Sequence, residues 1–411
     1  MTRELFDVRT PPDALRIVLD RLVPLSEPER VKTKDALDRV LAEALCSPSD
    51  LPSFRRSTMD GFAVRAADTY GATEGLPAYL EIVGEILMGR AASIELQRGH
   101  AAVIATGGML PDTADAVIMV EQTQAVGPHT IEVLRPVAPG ENVVQVGEDV
   151  RRGDPLLERG HTLRPQDIGG LLALGITDVC VARRLAVGIV SGGDEVIDPE
   201  HSPAPGQIRD INSYTLASLV LRDGHTPRLH GIVPDDYTAL EREVRAAFEA
   251  SDVLVVSAGS SVSTRDMTAT VISSLGLPGV LVHGVSLKPG KPTILAVCDG
   301  KPVFGLPGNP VSCMVTYGLF VAPTLALLAG ADAPTQKRVA ARLTRNVASA
   351  TGREDYIQVR LEERPDGGVD AVPVFGKSNL IYTLIRADGM LKIPLDAGGL
   401  LAGTPVDVML F

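Results

Sequence analysis

From Leu185 to Leu328 the sequence keeps one rhythm: a short apolar run, a loop of glycine and small polar residues, then a stretch of helical spacing. The apolar runs are Leu185–Val190, Val253–Val256, Val280–Val285, Ile294–Val297 and Val303–Phe304. Helical patterns cover Ile211–Val220, Tyr237–Ala250 and Met267–Leu275, and a long helix covers Val311–Leu328. Short, continuously apolar strands alternating with helices predict a mostly parallel, doubly wound sheet buried on both faces. Ligands on such sheets bind beyond the carboxyl ends of the strands. The loops at those ends are therefore where chemistry is expected.

Two of these loops stand out. Leu287-Lys-Pro-Gly-Lys-Pro292 carries two lysines between prolines, and Gly305-Leu-Pro-Gly-Asn-Pro-Val-Ser312 leads into the long helix. Proline fixes φ and glycine lets the backbone turn or come close to a ligand, so Lys288 and Lys291 are presented in a nearly set geometry. Pro310 suits the first helical position, and a helix N-terminus beside two ammonium groups predicts an anion site. Either turn alone reads better as an ordinary solvated turn; two of them closing successive strands favour the anion site.

Carboxylates occupy the neighbouring loops. Asp194 and Glu195 follow the first strand through Gly192-Gly193, and Asp266 follows Val253–Val256 through a loop containing Gly259 and Ser261. Alone, each is as well read as a helix cap or a solvated charge. Side by side on a parallel sheet they suit a hard cation such as Mg²⁺, which takes oxygen ligands and keeps several waters. Carboxylates for a metal, lysines for oxyanions and loop N–H groups together describe a site for a phosphorylated ligand.

The remainder of the 411 residues exceeds what one core serves. Thr10-Pro-Pro-Asp13 opens a helix carrying Leu15, Val18, Leu19 and Leu22, and a second helix is expected over about Lys34–Ala44. Short β-rich runs such as Leu80–Val83, Ala101–Ile104, Ala116–Val120 and Thr130–Val133 follow, before helical text resumes at Gln166–Leu174. After Ala333-Pro334 the pattern is again β, with a short helix near Leu380–Arg386. The expected division is a helix-rich scaffold domain (1–46 and 146–180), an inserted small β domain (47–145), the α/β domain (181–331) and a C-terminal β domain (332–411).

Composition narrows the function. A net charge of −12 argues against nucleic acid or an anionic membrane as partner, so an anionic ligand needs a local basic pocket. The four cysteines and seven histidines show no zinc spacing. No signal-peptide pattern is seen and no apolar run is read as long enough to span a bilayer, so the expected location is cytoplasmic.

The two loops, taken with Ser57-Thr-Met-Asp-Gly-Phe-Ala-Val64, Ala105-Thr-Gly-Gly108, Gly147-Glu-Asp149, Gly193-Asp-Glu195 and Gly206-Gln-Ile-Arg-Asp-Ile-Asn212, resemble the molybdopterin molybdenumtransferases, the family that includes the E domain of gephyrin. The resemblance runs from about Val31 to the C-terminus. It implies Mg²⁺-dependent insertion of molybdate into adenylylated molybdopterin, with release of AMP and an upstream adenylyltransferase as partner. It implies that Lys288, Lys291 and Pro292 form the oxyanion loop, that Asn309 and Ser312 belong to the Pro-Gly-Asn-Pro loop, and that Arg353 and Ser378 lie on the molybdate side. Gly259 and Ser261 match the substrate-phosphate loop. Asp60 and Thr106 match positions that complete the partner subunit's site in a homodimer. The chain departs from the pattern in having Gly192 for a threonine, and in the run Ala258-Gly-Ser-Ser-Val-Ser263 with Thr264 after it. Those changes fall in the metal and phosphate loops, so one alternative is a divergent, weakly active or inactive paralogue acting as a dimeric pterin-binding or scaffold protein; another is an enzyme that inserts tungstate, which oxyanion geometry hardly separates from molybdate.

Overall fold

The computed structural model describes residues 8–25, 27–258, 262–331 and 336–411, with no side chains described for 258 and 262–264. The chain forms two compact units: one of residues 1–43, 159–164 and 179–411, the other of 44–158 and 165–178.

The first unit opens with α1 (Pro11–Leu19), where the Thr10 side chain accepts from the Asp13 N–H and a proline occupies the first turn. The expected second helix is not formed. Thr33–Asp35 makes a single 3₁₀ turn, Asp38 takes φ 60°, and Val40 and Leu41 bridge Thr162 and Val181 as extended chain. Asp38 breaks the helix in its second turn. Arg39 is buried, donating to Glu29 and to the Ala182 carbonyl at 2.7 Å. Leu37, which helical spacing puts on the inner face, is exposed.

The second unit is built on β1 (Gly61–Val64), β2 (Ala78–Ile86), β3 (His100–Ile104), β4 (Ala116–Met119), β5 (Thr123–Gly127) and β6 (Thr130–Val133). They form one mixed sheet in the order β4-β1-β3-β2-β6-β5. Phe62, Val64 and Ile118 pack into one cluster, and Ala63 and Val117 into another, so the sheet is covered on both faces. A Cβ on Gly61 would lie 1.9 Å from the Ile118 carbonyl oxygen, so the strands meet there only through glycine. This unit also holds α2 (Pro165–Ala173).

The first unit continues with β7 (Ala186–Gly192), α3 (Asn212–Arg222), β8 (Thr226–Val233), α4 (Tyr237–Glu249), β9 (Val253–Ala258) and α5 (Val262–Ser273). Next come β10 (Pro278–His283), the short β11 (Leu287–Lys288), β12 (Ile294–Cys298), β13 (Lys301–Pro307) and α6 (Pro310–Leu328). The sheet order is β8-β7-β9-β13-β12-β10. The four strands β8, β7, β9 and β13 are parallel; β12 runs antiparallel to both β13 and β10. Alternate residues of β9 face opposite ways. Val253 and Val255 pack with α1, α3 and α6, while Leu254 and Val256 pack with α4 and α5. That is the doubly wound arrangement expected from the sequence.

α6 is long and apolar enough, by length and composition, to cross a bilayer, which corrects the reading that no run reaches that length. Its Tyr317, Phe320, Leu325 and Leu328 are buried in the core, and it serves as the central helix of this unit.

The C-terminal strands are β14 (Arg338–Leu343), β15 (Glu354–Glu363), β16 (Val369–Pro373), β17 (Gly389–Ile393) and β18 (Pro405–Leu410), with the short helix α7 (Tyr382–Ile385). Neighbours run β15-β16-β14-β18-β17, and β15 also pairs with β17, which closes a barrel around Leu343, Val359, Leu391 and Val408. β11 adds to β15 in parallel, Leu287 opposite Glu354 and Lys288 opposite Asp355. This pairing seats the lysine loop against the barrel.

Candidate active site

Because β12 runs against its neighbours, the loop from β10 to β12 lies at the same sheet edge as the carboxyl ends of β7, β9 and β13. That loop contains Lys288 and Lys291. It is closed by Val285 N–H donating to Lys291 O at 2.9 Å, and by the Thr293 hydroxyl donating to Gly290 O at 2.6 Å. Gly290 takes φ 118° and is buried against Thr316 of α6.

The loop borders a cavity of about 1200 Å³ lying wholly within the first unit. That volume exceeds the roughly 300–1,000 Å³ of ordinary small-molecule sites. Lys288, Lys291, Pro292, Asn309, Ser312, Arg353 and Ser378 all line it, so the structure brings together the oxyanion-loop, Pro-Gly-Asn-Pro and C-terminal residues singled out in the sequence. The wall carries four cationic side chains, Lys288, Lys291, Arg353 and Lys377, and among the described residues no Asp or Glu. In a chain of net charge −12 this is a concentrated positive pocket.

The helix end contributes less than expected. Pro310 has no N–H, and the Val311 N–H donates to the Ser378 carbonyl at 3.1 Å. The Asn309 amide donates to Ser378 Oγ at 3.0 Å, joining the two loops. Ser312 is buried at the wall.

Sequence reading missed Asp355. This carboxylate has no exposure to solvent; its Oδ1 accepts from Arg353 Nε at 2.9 Å and its Oδ2 lies 3.7 Å from Lys288 Nζ. The i, i+2 spacing of Arg353 and Asp355 puts the two on one face of the strand, but the exposed pair Arg360 and Glu362 has the same spacing, so it does not single Asp355 out. Gln358, also on the cavity wall and buried, has an amide nitrogen with no hydrogen-bond partner. Asn212, at the head of α3, donates to Ser257 Oγ at 2.9 Å and to Gly308 O at 2.8 Å, tying the β9 and β13 ends together.

The carboxylates are less assembled. Asp194 and Glu195 are exposed at the end of β7, next to β9 in the sheet. Asp194 accepts the Asp235 N–H at 3.0 Å, a bond to the loop before α4, whose N-cap is Asp236. Asp266 is not in a loop: it lies exposed on α5, with its carbonyl accepting from Thr270. Among the described residues no group of three or more His, Cys, Asp and Glu side chains is gathered for a metal. Exposed carboxylates of this kind are oxygen donors that suit a hard cation such as Mg²⁺, which takes one or two carboxylates and keeps several waters. Gly259 and Ser261 lie outside the described residues.

In the second unit Asp60 and Thr106 form a pair of their own. Thr106 donates to Asp60 Oδ1 from its N–H at 2.7 Å and from its hydroxyl at 2.9 Å. The backbone bond, then the hydroxyl bond, holds the exposed Asp60 carboxyl below its usual range.

Comparison with known proteins decides the family. Residues 9–175 match the model of the MoeA N-terminal region (domain I and II), 188–327 the probable molybdopterin binding domain, and 340–411 the MoeA C-terminal region (domain IV). The chain belongs to the molybdopterin molybdenumtransferase (MoeA) family. It is 32% identical over 394 residues to a molybdopterin molybdenumtransferase of Haemophilus influenzae, covering 95% of this chain and 96% of that one. The Bacillus subtilis protein of the same name is 32% identical over 388 residues, covering 93% and 90%. The crystal structure of a molybdopterin biosynthesis MoeA protein from Pyrococcus horikoshii superposes with a TM-score of 0.86 at 33% identity, over 98% of this chain and all of that one. The cationic cavity of the first unit draws on residues of the last two matched regions and is the candidate active site of this MoeA chain.

Proposed function

We propose that this chain inserts molybdate into adenylylated molybdopterin and releases AMP, a transferase step of molybdenum cofactor biosynthesis. The observation that carries this reading is the cavity wall, which among the described residues has four cationic groups and no carboxylate. Such a wall suits a doubly charged tetrahedral oxyanion beside a phosphorylated pterin. Arg353 has a planar fork that can donate several N–H bonds to one oxyanion. Lys288 and Lys291 add point charges to the same wall, and Pro292, Asn309, Ser312 and Ser378 shape it. Little covalent help from protein is needed, because positioning and charge neutralisation dominate phosphoryl chemistry.

In this reading Glu195, with Asp194 or Asp266, would hold Mg²⁺, and the ion would supply charge neutralisation for the substrate phosphates. By the family resemblance, Gly259 and Ser261 are assigned to the same phosphates. Asp60 and Thr106 complete the site of a second subunit in a homodimer. The four-domain division drawn from the sequence belongs to this reading, as does a cytoplasmic location, where the four free cysteines would stay reduced. An upstream adenylyltransferase supplies the adenylylated substrate.

The test is direct: purified protein, adenylylated molybdopterin, Mg²⁺ and molybdate should yield AMP in a molybdate-dependent manner. Tungstate in place of molybdate distinguishes the tungstate reading. Binding of the pterin without AMP release with either oxyanion would refute the proposal in favour of a pterin-binding scaffold.

A further inference from the structure

The two cations that reach the cavity from different parts of the chain share one counter-anion. Lys288 comes from the loop between β10 and β12, and Arg353 from the start of β15 in the barrel. They meet at Asp355, which has no exposure, while the side chains of Lys288 and Arg353 retain 55% and 38% of theirs. A carboxylate fully out of water is costly unless charges and hydrogen bonds compensate it. Arg353 supplies one hydrogen bond to Oδ1, and Oδ2 has none, with only the Lys288 ammonium nearby at 3.7 Å. The buried anion therefore pulls both cations toward one point behind the cavity wall. Asp355 is not itself a wall residue.

We propose that Asp355 is a positioning residue, holding Lys288 and Arg353 together as one preformed oxyanion cradle across the seam between the lysine loop and the barrel. The Nε bond turns the guanidinium so that its other N–H groups are left for a ligand. Without Asp355, two long side chains on separate elements must be ordered by the substrate itself, which costs side-chain entropy. The charge balance also fits. Lys288, Lys291, Arg353 and Lys377 less Asp355 leave three positive charges, enough to neutralise a dianion such as molybdate with one cation left for a substrate phosphate. This inference names the oxyanion side of the function proposed above and rests on that reading.

The test uses the full-length chain and molybdate alone as probe, followed by calorimetric titration. Asp355→Ala should weaken molybdate binding by roughly tenfold to a hundredfold, the scale on which groups orienting a binding residue act. Asp355→Asn, of nearly the same shape, should lose less, because its amide oxygen can still accept from Arg353 Nε. In the AMP-release assay both variants should raise the KM for molybdate and leave the KM for the adenylylated pterin within about twofold of wild type. A purely structural role would instead raise both KM values together with a fall in Tm. That result overturns the proposal, as do wild-type affinity in both variants or a wild-type protein that takes up no molybdate on its own. Asp355-dependent molybdate binding without AMP release would sink the turnover reading and leave the cradle standing. AMP release that ignores both substitutions would do the reverse.

Discussion

Gly290→Ala is the substitution that most directly couples the fold to the candidate site. Gly290 sits at φ 118°, where a side chain is rarely tolerated, and a Cβ built there lies 2.5 Å from Thr316 Cγ2 and 3.1 Å from Leu287 Cδ1. Neither neighbour can retreat. Thr316 is fully buried in α6, with its hydroxyl donating to Ser312 O at 2.8 Å, and Leu287 is a core residue. Backbone strain at such a φ costs about 1–3 kcal/mol, and overpacking a tight site costs about 1–3 kcal/mol more. If the loop stays in place, the expected loss is therefore about 2–6 kcal/mol of unfolding free energy. If it shifts to escape the clash, less stability is lost, but the Lys288–Asp355 contact and the Val285–Lys291 closure open, and molybdate-dependent AMP release falls instead. Urea denaturation and turnover measured on one preparation follow both routes. An Ala variant within about 0.5 kcal/mol of wild type, the range of neutral surface changes, with an unchanged KM for molybdate, would refute the steric reasoning.

Three further outcomes are expected. Lys291 is exposed at the cavity wall, so Lys291→Ala should leave Tm unchanged while costing about 2–4 kcal/mol of transition-state stabilisation, the scale of a lost oxyanion donor; AMP release at the wild-type rate counts against its assignment. Burial pushes the His225 imidazole down to about 4; the unfolded chain, titrating near 6.5, then binds more protons between those values, so stability should fall as pH drops through that window, by about 2 kcal/mol at about pH 5 relative to neutral pH, and a His225→Gln variant with the same pH dependence of urea unfolding would exclude this source. Asp60→Asn and Lys291→Ala, each inactive alone, should regain activity when their subunits are exchanged, because a mixed dimer with shared sites holds one intact site; verified exchange without activity puts both residues in the same chain's site.

Where one segment suffices to set structure or chemistry, the sequence was readable. The alternation of Val253, Leu254, Val255 and Val256 between two helix layers is a property of one strand and its two faces. The lysine loop announced itself through prolines and a glycine whose φ the turn requires. The misread segment, Lys34–Ala44, had helical spacing, but Asp38 at positive φ and the inward pull of Arg39 toward Glu29 and Ala182 outweighed it, and those partners are distant in sequence or invisible to periodicity. The helix N-terminus was likewise misjudged, because the acceptor that takes up the Val311 N–H is the carbonyl of Ser378, far along the chain.

Asp355 shows the same limit at the centre of the candidate site. In the sequence it is one acid in Arg353-Glu-Asp355, indistinguishable from the solvated Glu362 and Glu363 later on the same strand. Its burial is created by β11 adding to β15, a pairing between segments that only the folded barrel brings together. A cationic loop can be recognised from its own residues, because exposed lysines need no protein partner. The anion that orients it must be buried, and burial is decided by the whole fold. Positioning groups of this kind should therefore be sought by asking which buried carboxylates lie behind a cationic wall, since a search for polar residues in loops passes over them.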